Sequence, residues 1–179
     1  MKQKTKDFIQ HLYHDIEDES NVEKYIDDIL PLIGLLVMYF NGMEQWLDKY
    51  ICEIFTDRSD STGLIVLHKM SYATKVDLFK RFSDDMHHSC NIEIKCYDQL
   101  IHDLREAGRL RNLVVHADWE HTDDEGYTYV NLKISKTGMV QEYIQFSETS
   151  LKEIINLVFT ANNALHQYWD ERRDKLYRK

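Results

Sequence analysis

The sequence predicts a mainly α fold, a helical bundle with one β-hairpin inserted before the C-terminal helix. Three observations predict it. Apolar residues recur at three- and four-residue spacing along most of the chain, the period of a helix with one buried face. Only one Pro and six Gly occur among 179 residues, too few for a loop-rich sandwich or a disordered chain. After Trp119 the apolar period shortens to two, and the helical period returns near Ser150. No internal repeat or low-complexity linker divides the chain, so residues 1–179 are read as one domain.

The elements follow in order. Phe8, Ile9, Leu12, Tyr13 and Ile16 predict a short amphipathic helix, and the acidic Asp15–Asn21 stretch predicts a break or a helix start. A longer helix is expected over about Val22 to Phe55, with Pro31 either kinking it or opening a fresh first turn. Its later half, Gly34 to Ile54, carries Met38, Phe40, Trp46, Leu47 and Ile51, with Glu44 and Asp48 between them. That half is the candidate central core helix. Thr56 to Gly63 reads as a polar loop. Ser71 can cap a helix bearing Tyr72, Val76, Phe79 and Phe82, and Asn91 can cap the next.

Tyr127 to Ser135 then alternates, with Thr128, Val130, Leu132 and Ile134 on one face. Met139 to Phe146 alternates again and puts Ile144 and Phe146 on one side. Lys136-Thr137-Gly138 joins the two runs, so a hairpin is expected over about 127–146. A lone hairpin is no core and must lean on the helices or on a partner. Ser150-Leu-Lys-Glu153 reads as the capping box of the last helix. Its apolar stripe is Leu151, Ile154, Ile155, Val158, Leu165 and Trp169, and the tail from Arg172 is basic.

Composition narrows the function. A net charge of −9 opposes a general affinity for nucleic acid or anionic membrane, so RNA binding would have to rest on a local patch. Cys52, Cys90 and Cys96 form no CxxC pair and leave an odd count, which fits a reducing compartment. The basic N-terminus, Met1 to Asp7, is followed by no apolar signal core or cleavage site. The longest uncharged run, Ile29 to Met43, has fifteen residues, short for a bilayer, and reads as a buried helix. A cytoplasmic protein with no membrane partner and no cofactor is expected.

The chemistry concentrates in Arg109-Leu-Arg-Asn-Leu-Val-Val-His116, followed by Ala117-Asp118-Trp119. Arg offers phosphate a rigid fork of donors, and His exchanges protons near neutral pH. On a helix, His102, Arg105, Arg109, Asn112 and His116 recur at alternating three- and four-residue steps and make one polar stripe. Leu100, Leu104, Ala107, Val114 and Val115 make the opposite, apolar face, and Arg111 falls in its middle. A guanidinium there needs a carboxylate, a carbonyl or a wet groove. Two placements answer that need. Arg111 pairs internally with Glu44 or Asp48, or the helix ends near Val114 and lets Arg111 and His116 enter one cleft. Gly108 and the Asp118-Trp119 pair favour a helix end nearby.

Arg111-Asn112, three apolar residues and His116 resemble the signature of HEPN domains, all-helical modules with an Arg, an adjacent polar residue and a His four to six residues after the Arg. The helical order is similar over about residues 22–175, and the hairpin is an insertion relative to a bare bundle. The resemblance implies metal-independent cleavage of RNA by 2′-OH attack, in a groove between two protomers. It assigns Arg111, His116 and Asn112 to catalysis, and Arg109, Arg105 and His102 to substrate. Arg109, six residues before His116, also satisfies the spacing and stands as the alternative arginine. A homodimer would supply the second His and the second Arg that base and acid require. A toxin or defence role, with an antitoxin or other protein partner, belongs to the same reading. The alternatives are a non-catalytic dimerisation or RNA-binding module, and a sensor that binds a small anion in the same basic groove.

Other constellations carry less. His87, His88, Cys90 and Cys96 match no standard zinc spacing, and an exposed polar turn explains them. His116, Asp118, Glu120 and His121 diverge in direction on a helix or a strand. His11 and His14 read as solvated, and Trp46, Trp119 and Trp169 as core or interface anchors. No Gly-rich phosphate loop or GxSxG elbow is present.

Overall fold

The longest apolar period in the sequence becomes the longest helix. In the computed structural model, which describes residues 1–8, 19–55, 61–123 and 125–177, α1 runs Glu19–Phe55 with Pro31 inside it. Then come α2 (Ser61–Leu67), α3 (Tyr72–Cys90), α4 (Tyr97–Val115) and α5 (Glu148–Tyr177). Four strands, β1 (Lys2–Asp7), β2 (Asp118–Thr122), β3 (Tyr127–Ser135) and β4 (Gly138–Gln145), form one antiparallel sheet in the order β1-β4-β3-β2. The fold is therefore mainly helical, as the periodicity indicates, but the expected hairpin is the middle of a four-stranded sheet. The expected helix over Phe8–Ile16, and His11 and His14 on it, lie outside the described residues except for Phe8, whose amide donates to Met139 O at 3.1 Å.

Several ends differ from expectation. The Asp15–Asn21 stretch holds the helix start that was one of its two readings, at Glu19, but Ser61 to Gly63, expected in a loop, opens α2; residues 56–60 lie outside the described set. Ser71 caps α3 as expected, its Oγ accepting from the Thr74 amide at 3.3 Å, a contribution of about 1 kcal/mol. Asn91 instead ends α3, in the left-handed region at φ 51°, ψ 49°, where its short polar side chain is tolerated. The cap of α5 is Ser147, which accepts from the Ser150 amide at 3.1 Å; Ser150 Oγ donates back to the Ser147 carbonyl.

Residues Met1–Val37 with Leu110–Ile155, and residues Met38–Arg109 with Asn156–Lys179, form two compact units. The first holds the sheet. β1 pairs with β4 from Lys2↔Gln145 to Asp7↔Val140, and β3 pairs with β4 across the Ser135–Gly138 turn. A register shift between Tyr129 and Asn131 moves the later half of β3 to the other face, because one extra residue inverts the alternation. Thr128 therefore shares a face with Asn131 and Lys133, while Leu132 and Ile134 share one with Tyr127 and Tyr129. This corrects the expected Thr128–Ile134 face. Thr128, Ile144 and Phe146 are buried, with Trp119 5.2 Å from the Phe146 ring. Gly126, at φ +81°, lies where a Cβ would meet the Tyr25 ring at 2.7 Å. The Tyr25 hydroxyl donates to the Phe146 carbonyl, and burial, then Asp123, push its pKa up to about 12.

In the second unit, Phe40, Met43, Leu47 and Ile51 of α1 are buried, as are Val76, Phe79, Leu100, Leu104, Leu165 and Tyr168. Met38 and Trp46, expected in the core, are 72% and 39% exposed instead. Periodicity explains the difference: the two are eight residues apart on the helix and point away from the face that Leu47 and Ile51 share. By length and composition Glu23–Phe55 could cross a membrane, and 22% of its most apolar window is buried, less than a fully buried helix would show. Lys75, itself buried, donates to Glu44 and Asp48 at 2.8 Å each, so the two carboxylates that one of the two placements gave to Arg111 are held by a lysine.

Gly108 lies inside α4, which ends near Val114 as expected, and it admits a neighbour. A Cβ there would sit 2.6 Å from the Tyr72 ring, whose hydroxyl donates to the Leu104 carbonyl at 2.9 Å. Gly108→Ala is expected to lower stability by about 1–3 kcal/mol despite alanine's better helix propensity, read by urea unfolding. A more stable alanine variant would refute that packing.

Candidate functional site

The polar stripe of α4 is legible in exposure. His102, Arg105, Arg109, Asn112 and His116 are all exposed, while Leu100, Leu104, Ala107 and Val114 are buried; Val115 is half-buried. The six candidate residues fall in different units, His102, Arg105 and Arg109 in the second and Arg111, Asn112 and His116 in the first.

His102, Arg105 and Arg109 line an open cavity of about 370 Å³ with Lys80, Asp98, Ile101 and Glu106. Its cations are matched by carboxylates. Arg105 donates to Asp77 at 2.8 Å. Arg109 grips Glu106 with both Nε (2.7 Å) and Nη2 (2.6 Å). That bond holds the Glu106 carboxyl below its ordinary pKa and raises the Arg109 guanidinium further. Lys80 pairs with Asp84 at 2.5 Å, and His102 Nδ1 lies 3.2 Å from Asp103 Oδ1. A phosphate entering this cavity must compete with carboxylates already in place. Arg109 is thereby a poorer stand-in for Arg111 than its spacing suggests.

In the first unit α4 stops at Val115, one residue beyond the expected end, and the His116 amide still donates to the Asn112 carbonyl at 3.0 Å. The imidazole is exposed at that terminus. Arg111, expected among apolar residues, is half-buried, and its Nη1 donates to Asn112 Oδ1 at 3.0 Å. Trp119, just after the turn, closes the helix end by donating from Nε1 to the Val114 carbonyl at 2.9 Å. Guanidinium, carboxamide and imidazole thus occupy the last turn of one helix and the residue after it.

No family model, curated protein or solved structure matches this chain.

No group of three or more His, Cys, Asp or Glu side chains suited to a metal ion occurs among the described residues. His87 stands edge-on to Tyr97 and shares a 3.3 Å hydrogen bond with Tyr168, so it belongs to an aromatic cluster. Burial lowers its pKa. Cys96 is half-buried and Cys90 exposed, and the side chain of His121 lies outside the described residues.

Two features escape the sequence reading. Tyr50 and His166 are hydrogen bonded at 2.5 Å beside Trp46 and Trp169, a pairing across 116 residues that no local pattern announces. Lys2, Lys4 and Lys6 alternate with Gln3, Thr5 and Asp7, a period-two signal present in the sequence and read there only as basic charge.

Proposed function

We propose that this chain is a metal-independent endoribonuclease of HEPN type, with Arg111, Asn112 and His116 as its working residues and a homodimer as its active form. The observation that carries the reading is the helix end: α4 stops one residue before His116 and leaves the imidazole exposed, one turn from the Arg111–Asn112 hydrogen bond. In the proposed reaction an imidazole takes the proton of an RNA 2′-OH, and that oxygen forms a bond to the neighbouring phosphorus. The bond from phosphorus to the 5′-oxygen breaks, and a second imidazole protonates the leaving oxygen. The products are a 2′,3′-cyclic phosphate and a 5′-hydroxyl. Arg111 steadies charge on the phosphorane oxygens, a role for a fixed guanidinium in any such transition state. One His cannot be base and acid at the same moment, so a two-fold partner supplies the second.

A second reading, a non-catalytic RNA-binding or dimerisation module, is favoured by a specific observation. Arg105 and Arg109, two of the three residues expected to hold substrate, are paired with carboxylates. The experiment that separates the readings is cleavage of single-stranded RNA in EDTA by wild type and by Arg111→Ala and His116→Ala. Cleavage that both substitutions abolish supports the nuclease. RNA binding without turnover in the wild type favours the module, and equal residual cleavage in all three proteins overturns the assignment.

A further inference from the structure

The sheet of the first unit carries a second arrangement suited to RNA. Register places Lys2 beside Gln145 and Tyr127 in one row across β1, β4 and β3, and Lys4 beside Tyr143 and Tyr129 in the next. All six side chains therefore project from one face. The three lysines of β1 repeat every second residue, about 7 Å apart, a spacing close to that of successive phosphates along an extended single strand. Between them stand tyrosine rings. Lys4 Nζ lies 4.0 Å from the centre of the Tyr127 ring and also pairs with Asp123; Lys6 Nζ lies 5.6 Å from that of Tyr143. Tyr127 and Tyr129 are half-exposed, and Lys2 and Lys6 are exposed. Neither Lys2 nor Lys6 has a carboxylate partner among the described residues, in contrast to Arg105, Arg109 and Lys80.

We propose that this lysine–tyrosine face of the sheet binds single-stranded RNA, with Lys2 and Lys6 on phosphates and Tyr127 stacking a base. The inference rests on the RNA-directed part of the function proposed above and names its substrate class. Charge favours a nucleic acid: in a chain of net charge −9, this strand exposes two ammonium groups that have no carboxylate partner among the described residues, on the face that holds the partly accessible Tyr127 and Tyr129 rings, while Tyr143 beneath Lys6 is fully buried. Geometry decides in favour of a single strand. A sheet face can stack splayed bases, whereas in a duplex the bases are already stacked on each other and only the grooves and backbone are offered.

The test uses a short fluorescein-labelled 2′-O-methyl RNA of mixed sequence, free or annealed to its complement. That probe lacks the 2′-hydroxyl nucleophile, so binding is read without cleavage. Affinity is measured by anisotropy over a range of salt for the full chain. Lys2→Gln/Lys6→Gln should weaken binding about tenfold and flatten the salt dependence by roughly 1.4 in log–log slope, about 0.7 for each phosphate that is no longer neutralised. Tyr127→Ala should weaken binding by about tenfold, and Tyr127→Phe, which keeps the ring and the fold, should bind like wild type. Lys133→Gln/Lys136→Gln, with the same change in net charge off that face, should leave affinity unchanged. The proposal is overturned if the two lysine double variants bind alike, if the duplex binds as tightly as the single strand, or if the wild type binds neither. Cleavage of ordinary RNA is scored separately. Binding with these dependences but no cleavage retires the nuclease and keeps the sheet face, and cleavage with unaltered binding in Lys2→Gln/Lys6→Gln does the reverse.

Discussion

Lys75→Met is expected to destabilise the protein by about 2–4 kcal/mol near pH 7, measured by urea unfolding. The ammonium is buried and is shared by Glu44 and Asp48 at 2.8 Å each, and one oxygen of Asp48 is buried without a hydrogen-bond partner. Removing the cation strands two carboxylates that already lie close together. Their side chains keep 28% and 27% exposure, which places the loss toward the lower part of the range for a broken buried pair. Lys75→Met with Glu44→Gln and Asp48→Asn should recover much of the stability, because the penalty comes from orphaned charge rather than from poorer packing. A triple variant as unstable as the single one would refute this account.

The pH dependence has a definite sign. Burial raises the Asp48 pKa, with Glu44 adding to it, against the hydrogen bond and charge of Lys75, which lower it. The folded state thus holds the Asp48 proton more tightly than the unfolded chain. Through this group, stability falls as pH rises from the ordinary carboxylate value to the raised one, and is regained on acidification. Without Lys75 both lowering influences vanish. The defect of Lys75→Met should therefore be largest near neutral pH and shrink on acidification, as Asp48 takes up its proton. For Lys75, burial lowers the pKa but the bonds to Asp48 and Glu44 outweigh it. Its contribution is complete below the ordinary lysine value and is lost only above it, so it does not blur the acidic window.

For the proposed reaction, His116→Ala is expected to slow RNA cleavage by about 10²–10⁴-fold, the usual loss when a positioned proton-transfer group is removed. Arg111→Ala should cost a similar factor through lost stabilisation of the phosphorane, and Arg111→Lys should restore little, since a lysine offers charge without the planar fork. Asn112→Ala should cost less, about tenfold, by removing the acceptor that holds Arg111 Nη1. Arg109→Ala separates the two arginines: its guanidinium is committed to Glu106, so cleavage should fall far less than for Arg111→Ala. The opposite order would make Arg109 the functional arginine. Because the proposed groove takes one His from each protomer, adding an excess of inactive His116→Ala chains to wild type should lower activity as hybrid dimers with a single imidazole form. A catalyst that is complete in one protomer would lose none.

Much of the architecture was legible because it is local. Three- and four-residue spacing located α1, α3, α4 and α5, and the alternation of Leu104, Ala107 and Val114 with Arg105, Arg109 and Asn112 foretold which side of α4 is buried. Ser71 announced its own helix. Local signals also misled where two positions compete for one task. Ser147 and Ser150 both lie at the start of the last helix, and Ser147 took the cap while Ser150, inside the first turn, turned back on it. Asn91 suits the start of one helix and the end of another, and the left-handed turn that closes α3 claimed it.

The sequence by itself determined a mainly helical chain, the amphipathic α4 with its Arg-Asn and His at the C-terminal end, and the strand pair at 127–146. Only the tertiary structure decided what those groups meet. Lys2–Asp7 became a strand because Gln145–Val140, far along the chain, offered it a ladder. One extra residue near Tyr129 turned the second half of β3 over. Lys75 took Glu44 and Asp48, and Glu106 and Asp77 occupied the arginines expected to hold substrate. The physical reason is common to all of these. Periodicity records which side of an element faces inward, whereas the partner of a charge and the register of a strand are settled by long-range contacts, where desolvation must be matched by a charge or hydrogen bond brought from elsewhere in the chain.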